Sequence, residues 1–175
     1  PAQLANAASA IVALRALPGD AIPDEAFAQG VAQATLPGRL QRVPHGEVDV
    51  VLDVGHNPQA ARELAAWLQA HPAAGETHVV FAALADKDVT SVVDAFAGTP
   101  LHWHLAGLDA GPRSQSADRL AARLEGAVAG RALRHPRVED ALAAALAGAR
   151  AGDRVLVFGS FHTVAEALRA LHSGR

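Results

Sequence analysis

The fold is decided by residues 48–58, which read VDVVLDVGHNP. The stretch from 48 to 54 is mostly valine and leucine, which is typical of a strand buried on both faces of a sheet. The glycine that follows ends the strand, and Asn57-Pro58 places a favoured helix N-cap before a favoured first helical residue. A buried strand that leads directly into a helix is the building unit of parallel α/β sheets.

The same alternation of strand and helix continues along the chain. Six strands are predicted, at residues 40–43, 48–54, 77–83, 101–106, 132–134 and 154–158. Five helices are predicted among them, at residues 58–71, 89–97, 116–128, 138–150 and 161–171. This order predicts an α/β fold with a Rossmann-like, mostly parallel sheet of about six strands and helices on both faces.

Two further helices are predicted before the sheet, at residues 3–17 and 24–34, where apolar residues recur at helical spacing. A breaker pair, Pro37-Gly38, follows them and is interpreted as a hinge or linker. The sequence therefore predicts a division into residues 1–36 and a domain at 37–175.

Composition narrows the range of functions. The 175 residues carry a formal net charge of −3, which gives no reason to expect a nucleic acid or an anionic membrane as partner. There is no cysteine, so disulfides and thiolate metal sites are excluded, and a cytoplasmic location is predicted. The chain begins with Pro1 and contains no methionine, from which we expect a fragment of a longer protein.

Polar residues and glycines follow four of the predicted strands. In open α/β sheets ligands bind beyond the carboxyl ends of the strands, so these four segments are the candidate ligand-binding edge. They are VGHNP at 54–58, LADKD at 84–88, GLDAGPRS at 107–114 and GSFHT at 159–163.

The first of these segments has structural and functional interpretations that are compatible. Asn57 is expected to cap the helix that follows, and this role does not prevent ligand binding. Asp53 is expected either to cap a turn or to bind the hydroxyl groups of a ribose. His56 is either a packed or solvated histidine or a functional one.

Lys87 is the only lysine, although the chain has fourteen arginines, and it lies between Asp86 and Asp88. The cluster is either a solvated turn or a binding site, because a compact ammonium group holds an anionic oxygen differently from a planar guanidinium. Arg113 is either an exposed loop residue or a bidentate clamp for a carboxylate. Ser160 is either a helix N-cap or part of an anion site formed with backbone N–H groups.

Other chemistries find less support in the sequence. His102 and His104 share one face of a strand at a spacing that a metal accepts, but no further ligand is evident, so no metal site is predicted. Gly159-Ser160 lacks the second glycine of a nucleophile elbow, which disfavours a hydrolase. Neither Gly-x-Gly-x-x-Gly nor a phosphate loop of the type Gly-x-x-x-x-Gly-Lys is present.

Four motifs together resemble one family. They are LPGR at 36–39, DVGHNP at 53–58, DKD at 86–88 and GSFHTV at 159–164. In order and spacing the chain resembles the C-terminal region of the bacterial dihydrofolate synthase/folylpolyglutamate synthase family, within the Mur ligase superfamily, over residues 36–171. The resemblance implies the C-terminal domain type of that superfamily.

The resemblance also implies a reaction. ATP phosphorylates a carboxylate of dihydropteroate or a reduced folate, and the amine of L-glutamate displaces the phosphate from the acyl phosphate. A preceding ATPase domain, whose last helices lie at residues 1–36, supplies the phosphate loop and the Mg²⁺ ligands. We therefore expect the chain alone to be inactive.

The resemblance implies nucleotide contacts by Arg39, Asp53, His56 and Asn57. It implies substrate contacts by Lys87, Ser160 and His162, with Lys87 and His56 as the catalytic residues. Arg113, outside the four motifs, is an eighth candidate, for a substrate carboxylate. Two other functions stay open: another Mur-type amino-acid ligase, and a nucleotide-binding module without catalysis.

Overall fold

The computed structural model describes residues 2–19, 22–124, 128 and 131–173. The chain forms two compact units, Pro1–Pro37 and Gly38–Arg175. In the described part, no helix is both long enough and apolar enough to cross a membrane.

The described residues form six strands: β1 (Gln41–His45), β2 (Val48–Asp53), β3 (Thr77–Phe81), β4 (His102–Ala106), β5 (Leu133–His135) and β6 (Arg154–Phe158). They also form seven α-helices: α1 (Ala2–Arg15), α2 (Asp24–Gln33), α3 (Pro58–Ala70), α4 (Val89–Asp94), α5 (Ala117–Ala122), α6 (Val138–Gly148) and α7 (Phe161–Ser173). Each predicted strand and helix is present, and the predicted α/β fold with two preceding helices is confirmed.

The sheet has the strand order β1-β2-β6-β3-β4-β5. Strand β1 is antiparallel to β2, and the other neighbouring pairs are parallel. The last strand of the chain, β6, therefore lies between β2 and β3. This insertion brings the carboxyl ends of β2, β6 and β3 side by side, although their sequences are far apart.

Helices cover both faces of the sheet. One face packs against α3, α4 and α5, which contribute Leu64, Val92 and Leu120 to its buried cluster. The other face packs against α6 and α7, where Leu142 and Val164 are buried. Because both faces are covered, β6 buries every residue and β3 buries all but Thr77, which explains their apolar runs.

In the region after β4, the sequence overestimated the length of one helix and missed another. The helix predicted at 116–128 ends at Ala122, and residues 125–127 of that prediction lie outside the described part of the chain. A short 3-10 helix, Gly111–Arg113, was not predicted. Its Gly111 has a φ of 63°, a conformation that glycine adopts without steric cost.

The residues described in the unit at Pro1–Pro37 include no buried side chain and so form no core. Helix α2 has no buried residue, and Leu4 and Val12 of α1 are each 68% exposed. The two helices are linked by an ion pair between Arg15 and Asp24. A pair of helices this short buries too little apolar surface to be stable alone.

Candidate functional site at the carboxyl edge of the sheet

The end of β2 is organised around the carboxylate of Asp53. Its Oδ1 accepts a hydrogen bond from Gly55 N at 2.7 Å, and its Oδ2 accepts one from Leu40 N at 3.0 Å. Leu40 has a φ of 45°, a left-handed conformation that is rare for leucine and is held here by this bond. The predicted turn-capping role of Asp53 is therefore confirmed.

The same carboxylate keeps capacity for a ligand. Each carboxylate oxygen has two lone pairs and each accepts one backbone bond, so further donors have a place. Burial raises the pKa of Asp53, and the backbone hydrogen bonds from Gly55 and Leu40 oppose that rise. Arg39 NH1 lies 4.0 Å from Asp53 Oδ1 and its side chain is 40% exposed, so its guanidinium remains accessible.

His56 and Asn57 occupy the turn between β2 and α3. Asn57 Oδ1 accepts from Ala60 N at 2.9 Å, which confirms the predicted N-cap of α3. His56 Nδ1 lies 2.9 Å from Val54 O. A carbonyl oxygen only accepts, so His56 Nδ1 carries a proton and Nε2 is left for another partner.

Lys87 lies in the turn between β3 and α4. Its ammonium group donates to Asp86 Oδ2 at 3.2 Å, and its side chain is 27% exposed. Asp88 is the N-cap of α4 and accepts from Ser91 N at 3.1 Å. The hydrogen bond from Lys87 lowers the pKa of Asp86. An exposed pair of this kind contributes little to stability, so a ligand displaces it easily.

Arg113 is brought towards the Lys87 turn by the main chain. Ala85 N donates to Arg113 O at 3.0 Å, which joins the loop after β3 to the loop after β4. The side chain of Arg113 is exposed, and its charge contributes to the lowered pKa of Asp86.

The end of β6 is a tight turn into α7. Gly159 has a φ of 127°, and a Cβ at this position would lie 2.1 Å from Ala82 O, so only glycine fits. Ser160 Oγ accepts from Thr163 N at 3.0 Å, which confirms Ser160 as the N-cap of α7. Ser160 is buried, whereas His162 is exposed in the first turn of α7.

Three residues that sequence reasoning missed hold these turns together. Thr163, fully buried, donates through Oγ1 to Ala82 O at 2.8 Å, just past β3. Gln115 and Arg123 link the loop after β4 to the Lys87 turn. The only sequence signal for Thr163 was its place in the GSFHT segment, and the other two gave none.

A cleft of about 450 Å³ lies beside this edge, between the loop after β4 and the helices α6 and α7. None of the eight predicted site residues lines it. Its wall includes Glu166, whose pKa is raised by burial, and Arg137, which pairs with Glu139 and Asp140. The candidate site is therefore the surface formed by the turns after β2, β3 and β6, rather than this cleft.

The two histidines of β4 do not face a common ligand. His102 Nε2 lies 3.1 Å from Glu76 Oε2 at the surface, whereas His104 is buried with Nδ1 3.2 Å from His135 Nε2. Within the described ranges, no three His, Cys, Asp or Glu side chains are arranged to hold a metal ion.

The domain at the carboxyl-terminal side of Pro37 matches a known protein family. A model of the Mur ligase, glutamate ligase domain family matches residues 38–161, and the chain belongs to that family. The match covers β1 to β6 and the first residue of α7, and so includes the turns after β2 and β3 and the GSF part of the turn after β6.

Particular relatives are longer than this chain. The chain is 38% identical to the dihydrofolate synthase/folylpolyglutamate synthase of Escherichia coli over 170 residues, which cover 97% of the chain and 38% of that protein. It is 31% identical over 172 residues to a Corynebacterium efficiens UDP-N-acetylmuramoyl-L-alanyl-D-glutamate–2,6-diaminopimelate ligase, covering 92% of the chain and 32% of the ligase.

A solved structure carries the same fold. It is a bifunctional folylpolyglutamate synthase/dihydrofolate synthase with Mn, AMPPNP and L-glutamate bound. The superposition has a TM-score of 0.83 at 40% identity and covers 97% of this chain and 39% of the solved one. The chain thus spans about two fifths of the folate enzymes that it resembles and about a third of the diaminopimelate ligase.

Proposed function

We propose that the chain is the C-terminal domain of an ATP-dependent ligase that adds L-glutamate to dihydropteroate or to the γ-carboxylate of a folate. The observation that carries the proposal is the meeting of the DVGHNP, DKD and GSFHT turns along three adjacent strands, β2, β3 and β6. The 40% identity to a protein solved with AMPPNP and L-glutamate supports the choice of substrates.

The proposed reaction has two steps. The γ-phosphoryl group of ATP passes to a carboxylate of the pteroate or folate, which gives an acyl phosphate and ADP. The amine of L-glutamate then attacks the acyl carbon, and inorganic phosphate leaves as the amide forms. Both steps join anionic molecules, so approximation and charge compensation are the main tasks of the protein.

The turn after β2 serves the nucleotide in this proposal. Asp53 accepts from the ribose hydroxyls through its unused lone pairs, and Asn57 lines the same turn. Arg39 and His56 place positive charge near the phosphates, with His56 Nε2 available because Nδ1 faces Val54 O. His56 acts as a catalytic residue by stabilising charge on the phosphoryl group in transfer.

The turns after β3 and β6 serve the incoming glutamate. Lys87 exchanges its weak pairing with Asp86 for a glutamate carboxylate and so holds the amine for attack. Ser160 contributes through the backbone N–H groups at the start of α7, since its hydroxyl is buried against Thr163. His162 is exposed beside them, and Arg113 is proposed as a clamp for a second carboxylate.

The preceding ATPase domain completes the proposed site. The exposed apolar side chains of α1 and α2, such as Leu4 and Val12, belong in this proposal to the last helices of that domain. The family resemblance assigns the Mg²⁺ ligands to the preceding domain. Pro37-Gly38 is the proposed hinge, and the chain alone is expected to be inactive; its cytoplasmic location stays a prediction.

A second candidate is another Mur-type amino-acid ligase. The 31% identity to the diaminopimelate ligase of Corynebacterium efficiens favours it, because that enzyme is named for a different amino acid. A nucleotide-binding module without catalysis is the third possibility, and it predicts ATP binding with no turnover.

A phosphate-release assay on the longer protein separates the three. The reactions contain ATP, Mg²⁺, L-glutamate and either dihydropteroate or tetrahydrofolate. A parallel series contains UDP-N-acetylmuramoyl-L-alanyl-D-glutamate as the acceptor and diaminopimelate as the amine. Release that requires both glutamate and the pteridine supports the proposal. Release only in the diaminopimelate series selects the second candidate, and ATP binding without release in either series selects the third.

A further inference from the structure

We propose that Arg123 is a positioning residue for glutamate, acting through Lys87. This inference rests on the proposed function, because it assigns Lys87 to the glutamate carboxylate. Arg123 lies at the carboxyl end of α5, far from the four motifs in sequence, and its side chain reaches the Lys87 turn.

The first of the contacts that position Arg123 lies at the end of β3. Past Phe81 the ladder of the sheet ends, so the carbonyl oxygen of Ala83 needs another donor. Gln115, which is 5% exposed, supplies it through Nε2 at 2.6 Å. This bond fixes the side chain of Gln115, whose Oε1 accepts a hydrogen bond from one further side chain.

Arg123 is that partner. Its NH1 donates to Gln115 Oε1 at 3.0 Å, and its NH2 donates to the carbonyl oxygen of Lys87 itself. One planar guanidinium thus joins two segments, the loop after β4 and the Lys87 turn. A lysine in its place has one small ammonium group and cannot span both acceptors with the same geometry.

The guanidinium of Arg123 forms no ion pair among the described residues. No carboxylate of the described residues lies within 4.0 Å of its guanidinium, and both of its acceptors are neutral oxygens. The pKa of Asp88 is lowered by its hydrogen bonds with Ser91 and also by the charge of Arg123. The same charge adds positive potential beside the Lys87 turn, where the glutamate carboxylate is proposed to bind. We name this pair of residues the Gln115–Arg123 bridge.

The bridge fixes the main chain from which the Lys87 side chain extends. Thr90 Oγ1 also donates to Arg123 O at 3.1 Å, so the first turn of α4 is tied to the same residue. Without the bridge the Lys87 turn is held by its own short-range bonds and by Ala85 N, and the ammonium group samples more positions. Loss of Arg123 should therefore weaken glutamate binding more than the phosphoryl step.

The test is glutamate saturation kinetics of the longer protein with Arg123→Met. We expect the KM for L-glutamate to rise about tenfold, with kcat and the KM for ATP changed by less than about twofold. The matched control is Arg119→Met, because Arg119 is an exposed arginine on the same helix whose side chain makes no ion pair or hydrogen bond within the described residues. The control should keep all three constants.

The outcomes are distinct. If Arg123→Met and Arg119→Met have the same glutamate KM, the positioning role is wrong. It is also wrong if Arg123→Met lowers kcat and raises both KM values together with a fall in its thermal midpoint. Should Arg123→Met not fold, Arg123→Lys decides: a raised glutamate KM supports the role and an unchanged one overturns it. An inactive wild-type protein would instead overturn the proposed function.

Discussion

The carboxyl edge of the sheet carries cations that stay accessible, whereas the amino edge holds charged side chains in internal contacts. There, Arg154 is 4% exposed and its guanidinium donates to Asp49 at 2.9 Å and to His71 O at 2.6 Å. It also stacks over Trp67, 4.8 Å from the ring centroid. Asp153 accepts from two backbone N–H groups at 2.7 Å each.

The carboxyl edge leaves comparable groups available. Lys87 has only the exposed Asp86 as a side-chain partner in the described part of the chain, and Arg113 and His162 lie at the surface. Satisfied charges at one edge serve the fold, whereas the accessible charges at the other are those that we propose for a ligand. The comparison therefore predicts which residues cost stability when lost and which cost activity.

The largest effect is expected at the amino edge. Replacing Arg154 with methionine keeps the stem but removes the hydrogen bonds to Asp49 and His71, and we expect the free energy of unfolding to fall by about 3 kcal/mol. Urea unfolding of this chain measures this change in the free energy of unfolding. The matched control is Arg42→Met, since Arg42 pairs with the same Asp49 at 3.7 Å but is exposed; it should cost less than about 1 kcal/mol. Equal losses would contradict the distinction between the two arginines.

Acid should weaken the fold through a row of histidines on β3, β4 and β5. Burial, with the charges of His135, His78 and His102, lowers the pKa of His104 to about 4. The ring nitrogens of His78 are buried without a hydrogen-bond partner among the described residues, and burial lowers its pKa also. The unfolded chain then binds protons more readily, so stability is lost as the pH falls below about 6.5.

The expected loss from His104 alone is about 2 kcal/mol between pH 7 and pH 5, measured by urea unfolding at each pH. His104→Asn should flatten this dependence, and His45→Gln, at an exposed position of β1, should leave it unchanged. The groups facing the row include Glu76, Asp140 and Asp153, which favour the protonated histidines. A pH dependence identical in all three proteins would contradict the role of His104.

Thr163 tests the comparison further, because it lies at the carboxyl edge and yet its hydroxyl group is hydrogen-bonded inside the protein. Its hydroxyl contacts Ala82 O and Ser160 Oγ, and Thr163→Val should lower the free energy of unfolding by about 1–2 kcal/mol. Thr99→Val is the control, since the Thr99 hydroxyl has no hydrogen-bond partner in the described residues. A loss in the control as large as that in Thr163→Val would assign the effect to the added methyl group rather than to the hydrogen bonds.

Asn57 is expected to give the smallest effect. Asn57→Ala removes the N-cap of α3 and should cost about 1 kcal/mol, whereas Asn57→Asp keeps an accepting oxygen and should restore most of it. If Asn57 also contacts the nucleotide, the aspartate variant restores stability but raises the KM for ATP of the longer protein. If the aspartate variant recovers both the stability and the KM for ATP, Asn57 acts only as a helix cap.

Local patterns predicted the elements of the fold well. The buried strand at 48–54 and the capped helix after it carry their signals within a dozen residues, and Asn57 and Ser160 were predicted as caps for the same reason. Strand order was not predicted, because the insertion of β6 between β2 and β3 depends on how α6 and α7 pack against the far face of the sheet.

The residues that the sequence did not predict at the candidate site make contacts with positions far away along the chain. Arg123 is 36 residues from Lys87 along the chain, and Gln115 is 32 residues from Ala83. No periodicity or motif connects such positions. The roles of the eight predicted site residues came from a resemblance between short motifs, whereas their proximity follows from the strand order.

The central claim is that the carboxyl edge serves the ligand and the amino edge serves the fold. It is tested most directly by measuring kcat/KM for L-glutamate and the thermal midpoint together, in the longer protein, for Lys87→Ala and Arg154→Met. We predict that Lys87→Ala lowers kcat/KM on the order of 100-fold with its midpoint unchanged, and that Arg154→Met lowers the midpoint while the folded protein keeps its kcat/KM. Loss of stability without loss of activity in Lys87→Ala would contradict the account.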